Sequence, residues 1–388
     1  MKINTRHSMP EPALTLLQKL VQINSVTPTS QSKWAEEGGE ETLALWLKDY
    51  LQQYNFFCEL DYVLPGRPNL IARPPRFDES LPTIAFEAHL DTVDVEGMTV
   101  DPFAAVIRDG ALWGRGACDV KGPMAVMLTS LIKWTLESRR PKFNAIFIGT
   151  MGEETGTLGA KHLAQQRLPL DMILVGEPTL MNPVIGHKGV WRFAIETKGR
   201  SCHSSRPQEG ENAIEAMIPI LQLIQGKIKS EFERQAENTL SITTLHAGNT
   251  INIIPEKCRA EVDARFRNGT DVAAFRHILQ TELKKFGNNS QYIEIQDYPA
   301  FNAVDGSVLL EMLETALEQE NMAKSHLYEP WYSDAGHLSL AGYDVIVWGP
   351  GDIRHAHTSE EHIAIEQVSA GERVLDRFLR ICEDHYGE

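Results

Sequence analysis

Acidic and imidazole side chains stand where several apolar runs of this chain end. In chain order they are His89, Asp91, Asp119, Glu153, Glu154, Glu177, His355 and His357. Each is ordinary by itself, because polar residues commonly lie where a strand meets solvent, and adjacent glutamates are usually surface charge. If the segments converge, their carboxylates repel one another and some stay protonated unless a cation neutralises them.

A subset of these imidazole and carboxylate side chains would suit two divalent cations. Two histidines and three carboxylates, one of them shared, form a ligand set for a pair of zinc-like ions, and cobalt or manganese would also suit it. Such a pair lowers the pKa of a water held between the ions, and a further carboxylate can take its proton as general base. Adjacent glutamates such as Glu153 and Glu154 would then serve as one base and one ligand.

The signatures of several other chemistries are missing from the sequence. The phosphate loops G-x-G-x-x-G and G-x-x-x-x-G-K-[ST], the serine-hydrolase motif G-x-S-x-G and the zinc motif H-E-x-x-H do not occur. The inverted zinc motif H-x-x-E-H nearly occurs from His357, but Glu361 stands where the second histidine is required. A nucleotide-dependent enzyme or a serine hydrolase is therefore disfavoured.

The elements that must position these residues alternate between strand and helix. Strand-like apolar runs occur at 58–64, 69–73, 83–90, 144–151, 171–176 and 343–350, and helical spacing at 11–22, 40–54, 124–138, 158–166, 307–318 and 364–383. This order predicts an α/β fold with a mostly parallel sheet covered by helices. Ligands of such sheets bind beyond the carboxyl ends of the strands, so we expect the polar residues to meet in one crevice.

The pattern changes at Gly189 to strands that alternate between apolar and polar residues. Such strands occur at 189–199, 239–248, 257–267 and 291–298, with helices at 212–235 and 271–287. The order β-α-β-β-α-β is that of a ferredoxin-like unit. We therefore predict a domain at 187–297 that is inserted into a catalytic domain made of 1–186 and 298–388.

Composition limits the environment and the partners of the protein. A chain of 388 residues exceeds what one core usually supports. The formal net charge of −16 argues against nucleic acid or an anionic membrane as partner. Five scattered cysteines without a C-x-x-C pair indicate reduced thiols. With no apolar run of membrane-spanning length and a poor signal-peptide pattern at the start, we expect a cytoplasmic protein.

Five motifs occur in an order that resembles the co-catalytic dizinc deacylases and carboxypeptidases. They are AHLDTV, GRGACDVKGP, MGEETGTLGA, VGEPT and AHTSEE. This family includes acetylornithine deacetylases, succinyl-diaminopimelate desuccinylases, aminoacylases and glutamate carboxypeptidases. The resemblance covers nearly the whole chain, and it implies a zinc-exopeptidase-like fold that hydrolyses linear amides.

The resemblance also implies which residues bind the metal ions. His89 and Glu177 would bind one ion, Glu154 and His357 would bind the other, and Asp119 would bridge the two. His357 is preferred to His355 because it occupies the histidine of the family's AH motif, which leaves His355 as a neighbouring polar residue.

Two further residues of the same segments have roles by resemblance. Asp91 would orient His89 through its second ring nitrogen, and Glu153 would activate the water.

Substrate binding is implied for residues of the inserted domain and for one glycine-rich segment. His203 would stabilise the carbonyl oxygen as it becomes an oxyanion, acting in its own or the partner subunit, although a lone histidine of this kind is by default structural or solvated. Asn252 and Arg265 would bind polar groups of the substrate, with a salt bridge within the sheet as the alternative for Arg265. Gly349 and Gly351 would form a backbone pocket for a carboxylate.

The implied activity is hydrolysis of an N-acyl amino acid, with deacetylation of N-acetylornithine in arginine biosynthesis as the leading expectation. A homodimer through the inserted domain is implied as well. Succinyl-diaminopimelate, another N-acyl amino acid or a small peptide are the alternative substrates, and a binding protein without catalysis is the alternative class. Arg206 stands where relatives can carry an acidic residue, which leaves side-chain selectivity open.

Overall fold

The structure is a computed structural model that describes residues 9–28, 39–137, 140–235, 237–267, 269–287 and 289–387. The chain separates into two compact units. Unit 1 comprises Met1–Gly186, Asn302–Tyr328 and Ser333–Glu388, and unit 2 comprises His187–Phe301 and Glu329–Tyr332. The insert predicted at 187–297 lies within unit 2. Residue 138, at the end of one predicted helix, and residues 1–8 of the segment tested as a signal peptide lie outside the described residues.

The described strands and helices follow the alternating order of the apolar runs. The strands are β1 (Phe57–Leu64), β2 (Arg67–Arg73), β3 (Thr83–His89), β4 (Val106–Arg108), β5 (Ala111–Trp113), β6 (Asn144–Thr150), β7 (Met172–Val175), β8 (Val184–His187), β9 (Gly189–Lys198), β10 (Cys202–His203), β11 (Thr239–Ala247), β12 (Ile253–Ile254), β13 (Lys257–Phe266), β14 (Ser290–Tyr298), β15 (Phe301–Asn302), β16 (Leu327–Glu329), β17 (Asp344–Val347) and β18 (His362–Ala364). The α-helices are Ala13–Val21, Glu40–Gln52, Lys121–Glu137, Leu158–Gln166, Ala213–Leu223, Lys229–Phe232, Val272–Leu283, Val308–Gln319, Ala335–Leu340 and Ile365–His385.

The main sheet of unit 1 is parallel at its centre and antiparallel at its edges. The strand order is β1-β2-β6-β3-β7-β17-β8-β15, with β16 paired to β8. β6, β3, β7 and β17 run parallel to one another. β1 and β2 are joined by the two residues Pro65 and Gly66, and so short a turn permits only an antiparallel pair. The predicted α/β fold with a mostly parallel core and covering helices is confirmed.

The register of the parallel strands brings their carboxyl ends to one edge. His89, the last residue of β3, pairs with Thr150, the last residue of β6. Glu87 of β3 pairs with Val175, the last residue of β7. Both β3 and β6 are buried along their whole length, because helices pack on the sheet, and this explains their continuous apolar sequence. The segments that follow these three strands therefore leave the sheet side by side.

A small sheet that the sequence pattern did not predict supports the segment around His357. It has the order β18-β5-β4 and all its pairings are antiparallel. Each strand is three residues long, which is too short for the alternation of apolar and polar residues to be recognised.

Unit 2 contains a ferredoxin-like sheet. Its four long strands are antiparallel in the order β11-β13-β9-β14, and the helices Ala213–Leu223 and Val272–Leu283 provide the two crossings. Its core includes Trp191 and Phe193, both fully buried. The predicted βαββαβ order is confirmed. The single helix predicted at 212–235 is instead divided by a π-helical turn at Ile224–Ile228, which contains the poor helix former Gly226.

Within the part of the chain that the structure describes, no helix has both the length and the apolar character needed to cross a membrane.

Candidate metal centre

His89 is held in a fixed orientation at the end of β3. Its Nδ1 donates to the main-chain oxygen of Asp91 at 2.9 Å, and its Nε2 faces Oδ1 of Asp119 at 3.0 Å. The ring is 3 % exposed. A metal-binding imidazole commonly donates one N–H to a carbonyl or carboxylate and leaves the other nitrogen for the ion. Nε2 of His89 is therefore the nitrogen available to a metal.

Asp119 lies between two imidazoles, in the loop that precedes the helix Lys121–Glu137. Its Oδ1 faces His89, and its Oδ2 lies 3.2 Å from Nε2 of His357. The same nitrogen of His357 lies 2.9 Å from Oε1 of Glu154. Each oxygen of Asp119 thus faces a different potential ligand, which is the arrangement that a bridging carboxylate requires.

The ligand atoms of the five residues predicted to bind metal form two groups that share Asp119. His89, Asp119 and Glu177 place one ligand atom each within 4.8 Å of one another, and Asp119, Glu154 and His357 do the same. These are the two ligand sets that the family resemblance implied, with Glu177 arriving from the end of β7 and Glu154 from the loop after β6. Glu153 joins His89 and Glu154 in a third such group.

Burial and like charges shape the protonation of this cluster. Burial, followed by the neighbouring carboxylate of Asp119, raises the pKa of Glu177 well above its usual range. Burial also raises the pKa of Glu153, despite the opposing effect of His89. Hydrogen bonds to Asp119 and Glu154 raise the pKa of His357 to about 10. Without metal, protons therefore neutralise part of the cluster.

The donor set fits a pair of divalent ions. Imidazole nitrogen and carboxylate oxygen are the ligands of zinc, and cobalt and manganese accept the same mixture. Ions at the two groups would replace the protons now carried by the imidazoles and carboxylates, and the second ring nitrogen of His89 is already bonded to protein.

The carboxylate of Asp91, which was predicted to orient His89, has its closest contacts elsewhere. Its carboxylate oxygen Oδ1 lies 3.5 Å from Nδ1 of His89, whereas the main-chain oxygen of Asp91 makes the closer contact. The carboxylate instead accepts hydrogen bonds from the main-chain N–H of Glu153 at 3.1 Å and of Glu154 at 3.2 Å, and from the hydroxyl of Thr27 at 2.7 Å. Asp91 therefore fixes the loop that carries the proposed base and one proposed ligand.

His355 and His357 have separate surroundings, although they are two residues apart. The ring of His355 stacks on His362 with centroids 3.9 Å apart, and His362 stacks on Trp113 at 4.1 Å. His355 belongs to none of the three ligand groups formed by the described residues. His357 has a φ of +59°, in the left-handed region that residues other than glycine adopt only in a small fraction of cases, although histidine enters it more often than most.

Sequence reasoning did not identify a buried pair of carboxyl groups beside the centre. The hydroxyl oxygen of Thr150 lies 2.5 Å from Oε1 of Glu87 and 2.7 Å from Oδ2 of Asp334. A hydroxyl has one hydrogen, so one of these contacts requires a protonated carboxyl as donor. Burial raises the pKa of Glu87 well above its usual range and that of Asp334 to about 6. No motif of the segment WYSDAGH indicated Asp334.

His203 and Asn252, two of the predicted substrate-binding residues of unit 2, lie close together in the chain fold. His203 pairs with Ile253 in a short ladder, and the main-chain oxygen of Asn252 accepts the N–H of Ser204 at 3.0 Å. Both His203 and Asn252 are exposed. Nδ1 of His203 lies 2.8 Å from the hydroxyl oxygen of Ser205.

Arg265 and the glycine pair already have partners within the protein. The guanidinium of Arg265 donates to Asp263 at 2.9 Å, which is the salt bridge within the sheet that the sequence left open. The N–H of Gly349 donates to the hydroxyl oxygen of Thr179 at 3.2 Å, and the N–H of Gly351 donates to Oε1 of Gln367 at 2.6 Å. Each of these donors therefore has an acceptor within its own unit.

The sequence from residue 85 to residue 381 matches the model of peptidase family M20/M25/M40. The chain belongs to this family. The family resemblance inferred from the five motifs is thereby confirmed.

Similar proteins cover nearly the whole chain. Acetylornithine deacetylase of Vibrio cholerae serotype O1 is 27 % identical over 391 residues, which cover 96 % of this chain and 99 % of that protein. Succinyl-diaminopimelate desuccinylase 2 of Ruegeria sp. strain TM1040 is 30 % identical over 394 residues, which cover 96 % and 94 %.

Two solved structures show the same fold. The family M20 metallo-carboxypeptidase Sso-CP2 of Sulfolobus solfataricus matches with a TM-score of 0.80 at 17 % identity, covering 97 % of this chain and all of that chain. The YxeP protein of Bacillus subtilis, described as a dinuclear metal-binding peptidase, matches with a TM-score of 0.67 at 18 % identity and covers 96 % and 98 %. The chain is a family M20 hydrolase, and the prediction of a hydrolytic enzyme is confirmed.

Raising the pH is expected to tighten metal binding. His357, with a pKa of about 10, is protonated at neutral pH and must release its proton to bind an ion. Between roughly pH 6 and pH 8 the apparent affinity for Co²⁺ should rise about tenfold per pH unit for each proton displaced. Calorimetric titration in two buffers of different ionisation enthalpy would count at least one released proton.

A second histidine–carboxylate pair provides the control for this measurement. His162 contacts Asp61 at 2.9 Å and belongs to none of the three ligand groups. His162→Ala should release as many protons as the parent chain, and His357→Ala should release fewer. An affinity that does not change with pH, with no proton release, would contradict the protonated state described above.

Proposed function

We propose that this chain hydrolyses the amide bond of an N-acyl amino acid, with N-acetylornithine as the leading substrate. The observation that carries this proposal is the pair of ligand groups that share Asp119, with the buried carboxyl of Glu153 beside them. The residues suit zinc best, with cobalt or manganese as alternatives. When bound, two such ions polarise an amide carbonyl and activate a water molecule.

Glu153 acts in this proposal as the general base and then as the general acid. It takes the proton of the attacking water and delivers it to the nitrogen of the leaving amine. Burial raises its pKa well above the usual range of a glutamate side chain, which favours its acting as a proton donor to the amine after it has taken the proton of the water. The hydrogen bond from the main-chain N–H of Glu153 to Asp91 fixes the backbone that carries this carboxyl group.

Residues of unit 2 serve the same reaction in this proposal. His203 donates a hydrogen bond to the carbonyl oxygen as negative charge develops there, and Asn252 binds a polar group of the substrate. Arg265 binds a further polar group of the substrate, and the N–H groups of Gly349 and Gly351 form a backbone pocket for a carboxylate. His203 acts either in its own subunit or across a homodimer formed through unit 2, and the mixing experiment below distinguishes the two.

The proposed substrate follows from the names of the two relatives above. The names of the two relatives above favour a small N-acylated diamino acid, and their identities of 27 % and 30 % do not separate the acetyl from the succinyl substrate. If the substrate is N-acetylornithine, the protein acts in arginine biosynthesis in the cytoplasm. A small-peptide carboxypeptidase is the second candidate, because a relative of 26 % identity carries the name of a probable carboxypeptidase.

A substrate panel tests the proposal directly. Amine release would be measured from N-acetylornithine, N-acetylcitrulline, N-succinyl-diaminopimelate and dipeptides at equal concentration with Zn²⁺ or Co²⁺ present. N-acetylornithine should have the highest kcat/KM. Cleavage of peptides alone would overturn the deacetylase assignment and leave the metal-dependent hydrolase in place.

The base is tested by Glu153→Gln. This variant keeps the shape of the side chain and removes its ability to accept a proton, so kcat should fall by roughly 10²–10⁴-fold. Metal content should stay at the value of the parent chain. Glu154→Gln is the matched neighbour, and it should lose metal because Glu154 is a proposed ligand. Loss of metal in Glu153→Gln would instead identify Glu153 as a ligand.

The origin of His203 is tested by mixing two inactive variants, His203→Ala and Glu153→Gln. In a symmetric dimer with His203 acting across the interface, half of the exchanged dimers contain both variants and one intact site. Activity should therefore return to roughly a quarter of the parent rate. No recovery, with subunit exchange shown by sedimentation of differently tagged chains, would place His203 in its own subunit.

A further inference from the structure

Glu361 is a buried carboxylate that binds protein and not solvent. It immediately precedes β18 and is fully buried. Its Oε1 accepts the main-chain N–H of Cys118 and of Asp119, each at 3.0 Å. Its Oε2 accepts a hydrogen bond from Nη1 of Arg115 at 2.6 Å. Both oxygens are therefore engaged.

Arg115 pairs with this carboxylate and orients it. Its guanidinium is 3 % exposed, and its Nε donates to the main-chain oxygen of Asp94 at 3.1 Å. A buried carboxylate is tolerated when a cation and hydrogen-bond donors replace its water, and charge-assisted hydrogen bonds of this kind are the strong ones. Arg115 and the two N–H groups provide that replacement for Glu361.

The position of Glu361 in the chain links two proposed ligands. Glu361 lies four residues after His357, and its side chain holds the main chain at Asp119. The segment between them is also tied down by the N–H of Thr99, which donates to Ser359 at 3.0 Å. The side chain of Glu361 thus connects the loop that carries His357 to the main chain at Asp119.

The backbone of His357 needs such an anchor. Its φ of +59° lies in the left-handed region that residues other than glycine seldom adopt, and contacts on either side of the loop stabilise this conformation. The N–H of Gly114 donates to the main-chain oxygen of Glu361 at 3.1 Å, which adds a second tie at the same residue. Glu361 is therefore the fixed end of the loop that presents His357.

We propose that Glu361 is a positioning residue of the metal centre. Its carboxylate, oriented by Arg115, fixes the separation between Asp119 and His357 and so sets the affinity of the ion that Asp119, Glu154 and His357 would hold. This inference rests on the proposed metal-dependent function and extends it to a residue that is not itself a ligand. The glutamate that broke the H-x-x-E-H pattern in the sequence has its role here.

Glu361→Gln tests the proposal with the least change of shape. The amide oxygen can still accept the two main-chain N–H groups, but the amide nitrogen then faces Nη1 of Arg115, donor against donor. Arg115→Lys is a second, milder variant, because lysine keeps the charge and loses the planar geometry of the guanidinium. Glu360→Gln is the matched control, since Glu360 is exposed and its side chain contacts only the hydroxyl of Thr99, at 3.4 Å, among the contacts described.

Metal-free protein would be titrated with Co²⁺ and followed by calorimetry and by the visible absorption of bound cobalt. In Glu361→Gln, one of the two ions should bind about 10–100-fold more weakly, as is typical when a residue supporting a ligand is changed. The absorption at saturating Co²⁺ should also change, because the ligand geometry changes. Arg115→Lys should weaken the same ion, and Glu360→Gln should match the parent chain.

The outcomes separate this proposal from the one on which it rests. Circular dichroism and thermal unfolding would show whether Glu361→Gln folds. If it does not fold, the Co²⁺ affinity and absorption of Arg115→Lys test the proposal instead. Parent-like cobalt affinity and absorption in the folded variants, even with a lower unfolding temperature, would show a merely structural role and overturn the proposal. A parent chain that binds no Co²⁺ would overturn the metal centre itself, and the role of Glu361 with it.

Discussion

Repulsion between carboxylates that the fold forces into one buried place is the constraint on which this structure depends. Asp119, Glu153, Glu154 and Glu177 arrive from three separate loops. Each of them shares a ligand group with His89, and Asp119 and Glu154 also share one with His357. Burial and the neighbouring acids raise the pKa of Glu177 and Glu154, while the imidazoles hold that of Asp119 below its usual range. The cluster is compatible with folding only when protons or divalent cations balance its charge.

Two further carboxylates accept hydrogen bonds from main-chain N–H groups and so hold the loops that carry the crowded side chains. Asp91 accepts the N–H groups of Glu153 and Glu154, and Glu361 accepts those of Cys118 and Asp119. Each therefore fixes a loop that carries proposed ligands, and neither is a member of the two ligand groups that share Asp119. The centre is built from carboxylates of two kinds, those that face the metal position and those that hold the loops.

The sequence predicted most accurately those parts of the fold whose pattern is local. β3 and β6 were recognisable because strands covered on both faces are continuously apolar. The four long strands of unit 2 were recognisable because each alternates. The three-residue strands β4, β5 and β18 carry no such pattern, and the apolar periodicity of 212–235 did not indicate the π-helical turn at Ile224–Ile228.

For the candidate site, the sequence by itself determined which side chains are available and, through the order of the motifs, which family they belong to. Only the tertiary structure decided their partners: the two carboxyl groups that share Thr150, the salt bridge of Arg265, and the bonds of Glu361 to residues about 240 positions away. Periodicity and motif spacing record the neighbours of a residue along the chain. Contacts between distant segments depend on the register of the strands and the packing of the loops, which no single segment contains.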